Sequence, residues 1–334
     1  MKSSTPALLI GTTVVYAASY PLGALALHTM SPFLLITLRF LVAAPIMWTA
    51  VALLRSALPR GRAWWHAIGA GTLVQGVHVI GAYWAMSHGV SSGIAALVVA
   101  MNPVVVTILG GLLDRRREPW RAYLAVGIGV VAVVLACAPR IARDPAVGPG
   151  LVALVVALLG LSTGSVWQGR TLRGVSPVSF TAIGVTASLP IAAVLTLTST
   201  NHVAPGGSTW LWFGVVTVAT LVGTTLYAAT VARRGARGAA ILFAVIPAVA
   251  ALCAWALLGE PLDALVVVAL ILGGAACVID VRASAMPAAP QPDDSARSAT
   301  MVACSRTPGS AREPVVSTRN PAAARRRTSS SIGQ

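Results

Sequence analysis

Residues 238–261 read GAAILFAVIPAVAALCAWALLGEP. From Gly238 to Leu258 that is 21 residues without a charged side chain, closed by Gly259-Glu260-Pro261. A helix needs about 20 consecutive apolar residues to cross the hydrocarbon of a bilayer, so this stretch reads as a membrane span. Residues 93–119, GIAALVVAMNPVVVTILGGLLDRRREP, look much the same. Each run carries an internal proline, Pro103 or Pro247, and each ends on Glu-Pro, at Glu118-Pro119 and Glu260-Pro261.

The likeness extends outward from these two stretches. Ser31-Pro32 is matched by Ser176-Pro177, and Tyr83 by Tyr227. The gaps agree: 51 and 50 residues from Pro to Tyr, 20 and 20 from Tyr to Pro, 15 and 13 from Pro to Glu. Four landmarks in order at nearly constant spacing are a repeat, of period about 144 residues.

Further runs of the same kind give ten spans in all: Ala7–Leu27, Phe33–Leu54, Trp65–Met86, Gly93–Leu113, Trp120–Ala138, Gly150–Trp167, Val178–Leu197, Thr209–Ala232, Gly238–Leu258 and Ala264–Val281. Composition agrees, with 56% hydrophobic and only 10% charged residues, against about 25% charged in soluble domains. The predicted fold is an all-α polytopic membrane protein, with one five-helix repeat over 1–138, an outer linker at 139–149 and a second repeat over 150–281. Residues 282–334, rich in Ser, Pro, Ala and Arg, are expected to be a disordered basic cytoplasmic tail. Its run Arg325-Arg326-Arg327-Thr328 reads first as a solvated end, and second as a lipid-headgroup or phosphorylation site.

Short loops give the direction, since cytoplasmic loops collect Lys and Arg. With the N-terminus inside, the inner loops hold twelve arginines and the outer loops two, Arg140 and Arg143. Both termini are then cytoplasmic. The apolar run to Leu27 is too long for a signal-peptide core of 7–15 residues, so it reads as a retained span. A net charge of +15 spread over loops and tail, with no single basic face, excludes nucleic acid as the expected partner. The four Cys have no CxxC spacing, so no metal site or disulfide framework is indicated.

Five spans per half is an odd number, so the second half must cross the membrane upside down relative to the first. Inverted repeats belong to secondary transporters, because two related halves of opposite orientation give states open to either side.

The same residues carry a resemblance. The Leu38-Arg39-Phe40 opening of the second span and the Tyr…Pro…Glu-Pro close of each half are similar to the drug/metabolite transporter superfamily, in particular its ten-helix EamA-type exporters. The resemblance covers residues 7–281; in the first half Asp114-Arg115-Arg116-Arg117-Glu118 stands where Gly-Glu is usual. It implies a plasma-membrane carrier, an exporter of amino acids, metabolites or drugs, with a small-molecule solute and the bilayer as partners.

Two Gly-x-Ser-x-Gly stretches, Gly89–Gly93 around Ser91 and Gly160–Gly164 around Ser162, also read as Gly-x-x-x-Gly helix-packing motifs. A hydrolase would need that serine between a strand and a helix with His and acid converging, whereas Ser162 lies inside an apolar helical run and Ser91 at a short outer turn. Ala153, Ala157, Gly160 and Gly164 form a small-residue stripe suited to close packing. No cofactor fingerprint is present, so no cofactor is expected.

Polar residues recur on single helix faces: Thr12, Tyr16, Ser19 and Gly23; Gly71, Gln75, His78 and Ala82; Thr217, Thr220, Thr224 and Tyr227. Polar faces in lipid turn inward, so Tyr16, Gln75, His78, Asn102, Trp167, Gln168, Thr224 and Tyr227 are expected to line a central cavity; inter-helix hydrogen bonding without a ligand is the competing reading of each. Arg39, the charged side chain deep in a span, has three readings: pairing with helix carbonyls, snorkelling outward, or anchoring a substrate anion. No carboxylate lies at mid-span, which leaves proton coupling through His78, exchange, or facilitated diffusion. A non-transporting receptor or scaffold and a membrane-embedded enzyme are the competing classes. The sequence is as compatible with a homodimer as with a monomer.

Overall fold

Backbone groups in hydrocarbon have no water to bond, so apolar runs satisfy themselves as helices. The structure is a computed structural model that describes residues 4–115, 120–143, 147–240, 246–259 and 264–285. In chain order the helices are α1 Ser4–Leu27, α2 Pro32–Leu53, α3 Arg62–Gly71, α4 His78–Ser87, α5 Ser92–Val99, α6 Asn102–Asp114, α7 Trp120–Arg143, α8 Val147–Thr171, α9 Pro177–Leu197, α10 Gly207–Ala240, α11 Ile246–Leu258 and α12 Ala264–Ala285. The described residues contain no strand, only one isolated antiparallel bridge between Met30 and Val203.

Among the described residues five segments are long and apolar enough to cross a membrane: Pro32–Leu53, Ser92–Asp114, Val147–Thr171, Pro177–Leu197 and Gly207–Ala236. Their outward faces are apolar. Leu41, Leu53, Leu112, Val152, Leu197 and Val218 are all exposed, while Arg39, Gln75, His78, Asn102 and Thr224 are buried. That is the reverse of a soluble domain, and it suits a lipid solvent.

Two interruptions punctuate runs that periodicity reads as continuous, and a kink at Gly235 falls between the spans read as Thr209–Ala232 and Gly238–Leu258. A π-helical stretch, Thr72–Val77, joins α3 to α4. Ala100 and Met101 separate α5 from α6, just ahead of Pro103. Proline has no N–H to give the preceding turn, so the helix breaks there. Gly235 sits at φ 75, ψ 168 inside α10, a left-handed conformation that glycine tolerates without a side-chain clash.

The repeat is visible in the packing. α2 and α9, equivalent by their Ser-Pro starts, pack side by side and run antiparallel. Contacts climb one as they descend the other: Ser31 Oγ to Asn201 Oδ1 (3.3 Å), Thr37 Oγ1 to Thr196 Oγ1 (2.8 Å), and Trp48 Nε1 donating to Thr186 Oγ1 (2.9 Å). Exchanging the halves exchanges the other helix pairs as well. α1 packs on α10 as α8 packs on α3–α4, and α7 meets its own counterpart, α12. The loops near Thr29–Ser31 and His202–Ala204 are knitted by backbone bonds, Ser31 N to His202 O (3.1 Å) and Ala204 N to Thr29 O (2.7 Å).

Small residues set how closely these helices approach. A Cβ at Gly71 would lie 2.6 Å from the Gly184 Cα, so α3 and α9 cross on bare backbone. The stripe of α8 does the same against the third span. A Cβ on Gly164 would meet the Ala70 carbonyl at 2.9 Å, one on Gly160 would meet Val77, and one on Gly81 would meet Ala153 and Ala157.

All described residues belong to one compact unit, Met1–Met286. The tail expected from residue 282 begins later than that, since α12 runs on to Ala285; Arg116, Arg117, Glu118-Pro119, Glu260-Pro261 and residues 286–334 lie outside the described residues.

Candidate substrate cavity

Where α1, α4 and α10 meet, a cavity of about 30 Å³ is lined by Tyr16, Ser19, Tyr20, His78, Tyr83, Thr220 and Thr224, among others. That is room for one or two waters. It draws residues from both halves. Tyr16 and Tyr20 are one helical turn apart on α1, His78 and Tyr83 come from α4, and Thr220 and Thr224 are one turn apart on α10.

A line of buried polar groups runs from this cavity into the bundle. Tyr16 Oη lies 3.1 Å from His78 Nε2. The Tyr16 ring packs against Tyr227, with centroids 5.8 Å apart. The Tyr227 hydroxyl accepts from Asn102 Nδ2 (3.2 Å) and lies 2.9 Å from Ser165 Oγ. Asn102 Oδ1 in turn accepts from Ser162 Oγ at 2.8 Å. Buried polar groups are costly unless paired, and here five helices pair theirs along one path. Gln168 donates to the Ala228 carbonyl at 3.1 Å, close to the same path.

A second void, about 10 Å³, shares Thr220 and Thr224 with the first and is lined by Arg39, Gln75 and Thr217. Arg39 is only 3% exposed, so it does not reach outward. Its guanidinium stacks over the Tyr83 ring, 4.9 Å from the centroid, and its Nε and Nη1 have no hydrogen-bond partner among the described residues. A stacked aromatic face returns about 1–2 kcal/mol, whereas moving an ion out of water costs several. The hydroxyls of Tyr83 and Thr220, both lining the adjoining cavity, also have no partner among the described residues.

The EamA-like transporter family matches residues 4–138 and 148–281, the two halves set out above. The chain belongs to the EamA-like transporter family. It is therefore a multi-pass membrane protein built of two EamA repeats, and the resemblance to the drug/metabolite transporter superfamily is borne out. A small-molecule solute and a lipid bilayer follow as its partners, and the family's members are transporters rather than enzymes. A solved crystal structure shares the fold at 19% identity and TM-score 0.60, over 86% of this chain and 100% of the other. No protein of curated function matches.

Of the residues picked out from this EamA sequence, the structure brings Tyr16, His78 and Thr224 to the first void and Arg39, Gln75 and Thr224 to the second. Asn102 and Tyr227 lie along the polar line. Trp167 lies apart, donating from Nε1 to His66 Nδ1 (3.1 Å) and packing over Gly69. Sequence reasoning passed over Ser165, Tyr20 and Tyr83 as site residues. Tyr20 had a signal, one turn beyond Tyr16 on a face that already held polar groups. Ser165 had none, because its partner Tyr227 is 62 residues away. Ser162, at the centre of a Gly-x-Ser-x-Gly match, uses its hydroxyl to hold Asn102.

Proposed function

We propose that the chain is a secondary transporter that exports a small metabolite, amino acid or drug-like solute across the plasma membrane by alternating access. In this reading ten spans form two inverted five-helix halves, with both termini in the cytoplasm. The observation that carries it is the buried cavity lined by α1 and α4 of one half and α10 of the other. A solute site at the junction of two inverted halves becomes accessible to either side as one half rocks against the other. The antiparallel α2–α9 pair supports the inversion. The knitted Thr29–Ser31 and His202–Ala204 loops support a conformation closed at the outer end.

His78 supports proton coupling as the drive, since imidazole is the side chain suited to gaining and losing a proton near neutral pH. The Tyr16 hydroxyl at 3.1 Å is placed to accept a change in that charge.

Substrate and direction are read by comparing metabolites in the media of cells with and without the protein. Export predicts at least one solute enriched outside only when the protein is present; media that match throughout contradict it. A cysteine at Gly206 should react with an impermeant reagent in sealed cells, and one at Arg60 should not. Labelling at Arg60 would overturn the orientation.

A further inference from the structure

We propose that Arg39 is the anchor for a carboxylate on the transported solute, which makes this carrier selective for singly charged organic anions. The proposal takes from the transporter reading only that the bound solute is moved; the site itself stands on the geometry around Arg39.

An arginine keeps its charge in any protein environment, so burial cannot be relieved by loss of a proton. Here the side chain is almost fully buried, its Nε and Nη1 are unpartnered, and a void opens beside it. The one ion pair among the described residues, Arg170 with Asp114, is elsewhere and exposed. The remaining walls of the void, Phe40, Ala43, Gln75, Val185, Thr217 and Leu221, carry no charge. A lone cation walled by neutral groups is complementary to one negative charge. A doubly charged phosphate would leave a net charge in a low-dielectric site, and no second cation lines the Arg39 void. One planar guanidinium matches one planar carboxylate.

The adjoining cavity, with room for one or two waters as it stands, is where the rest of such a solute would lie once the halves part. It shares Thr220 and Thr224 with the Arg39 void, and it offers aromatic faces together with the unpartnered hydroxyls of Tyr83 and Thr220. Tyr83 ties the two spaces together, since its ring lies under Arg39 and its side chain lines the cavity. Symmetry makes no demand for a charge here, because counting from the Ser-Pro start puts Gly184 at the equivalent place in the second half.

The test is thermal unfolding of the full-length protein in detergent, followed by tryptophan fluorescence. The probes are formate, acetate, propanoate and benzoate, each against its primary amide, which has nearly the same shape without the charge. At least one acid should raise the midpoint at concentrations about tenfold or more below those its amide needs. Arg39→Gln should abolish that difference and Arg39→Lys should retain part of it. The proposal is overturned if acids and amides act alike, if no acid acts, or if the preference survives in Arg39→Gln. The wild-type comparison decides even if a variant fails to fold. Acid binding without flux in proteoliposomes would instead sink the transporter reading and leave the anion site standing.

Discussion

Asn102 and Ile246 occupy the same place in the two halves, each immediately before the helix proline, Pro103 or Pro247. Both are buried. Asn102 joins Ser162 to Tyr227 by hydrogen bonds, while Ile246 packs into the apolar core. The pattern recurs at other paired positions. Arg39 corresponds to Gly184, where bare backbone of α9 meets Gly71. His78 corresponds to Val222, which is exposed on an outer face. The first half thus contributes the cation, the imidazole, the amides of Gln75 and Asn102 and three tyrosines, Tyr16, Tyr20 and Tyr83. The second contributes no charge or imidazole, only the Gln168 amide and the hydroxyls of Ser162, Ser165, Thr220, Thr224 and Tyr227. Symmetry shapes the scaffold, and the site's chemistry lies where the halves differ.

Making the halves alike is therefore the way to test that division. The largest effect is expected from Gly184→Arg, which copies the first half into the second. Its Cβ would lie 3.0 Å from the Gly71 Cα and 3.1 Å from Gln75 Cγ, so α9 and α3 must part. Overpacking of this kind costs about 1–3 kcal/mol or more, and here the obstacle is backbone. Size-exclusion chromatography should show loss of the monodisperse peak, whereas Gly214→Ala, with nothing within 4 Å, should behave as wild type. A well-folded Gly184→Arg would mean that the two halves are not packed as described.

The reverse copy, Asn102→Ile, should be milder for folding and severe for function. It leaves the Ser162 hydroxyl without its acceptor and takes one donor from Tyr227, at a cost of about 1–3 kcal/mol. Thermal unfolding should shift down by a few degrees, about what that cost implies, and solute flux should fall at equal membrane abundance. Unchanged flux would remove Asn102 from the site.

His78→Gln isolates one component. Gln keeps a hydrogen bond to Tyr16 but cannot carry a proton, so flux driven by an imposed pH gradient should vanish while exchange of solute for solute persists. A mutant that still concentrates solute on the gradient makes His78 structural.

Much of this was legible in the sequence because membrane spans announce themselves by length and composition. Pro103, Pro247, Tyr83 and Tyr227 fixed the repeat, and the small-residue stripe on α8 pointed to packing. Helical spacing also gave the faces bearing Tyr16, His78 and Thr224. What spacing along a chain does not give is distance between helices. It placed Trp167 and Gln168 together at the cavity, yet the two side chains leave α8 in different directions. The π-helical stretch Thr72–Val77 was equally silent, since nothing in its composition distinguishes it from an ordinary turn.

The smallest effect should come from the tail. Truncation after Ala285 removes no described helix, so flux per inserted molecule is expected to be unchanged. A loss at constant abundance would assign the tail a role that neither half supplies.

Counterflow in proteoliposomes tests the central claim most directly. Vesicles holding the purified full-length protein are loaded with a defined mixture of amino acids and organic acids, then given labelled traces of the same compounds outside. A carrier with one site shared by both halves predicts transient accumulation of at least one label in wild-type vesicles. Asn102→Ile vesicles with equal protein should lose it, and protein-free vesicles should never show it. Accumulation that persists in Asn102→Ile would contradict a site formed along the polar line. No accumulation of any label in wild type would contradict transport of the solute classes proposed here.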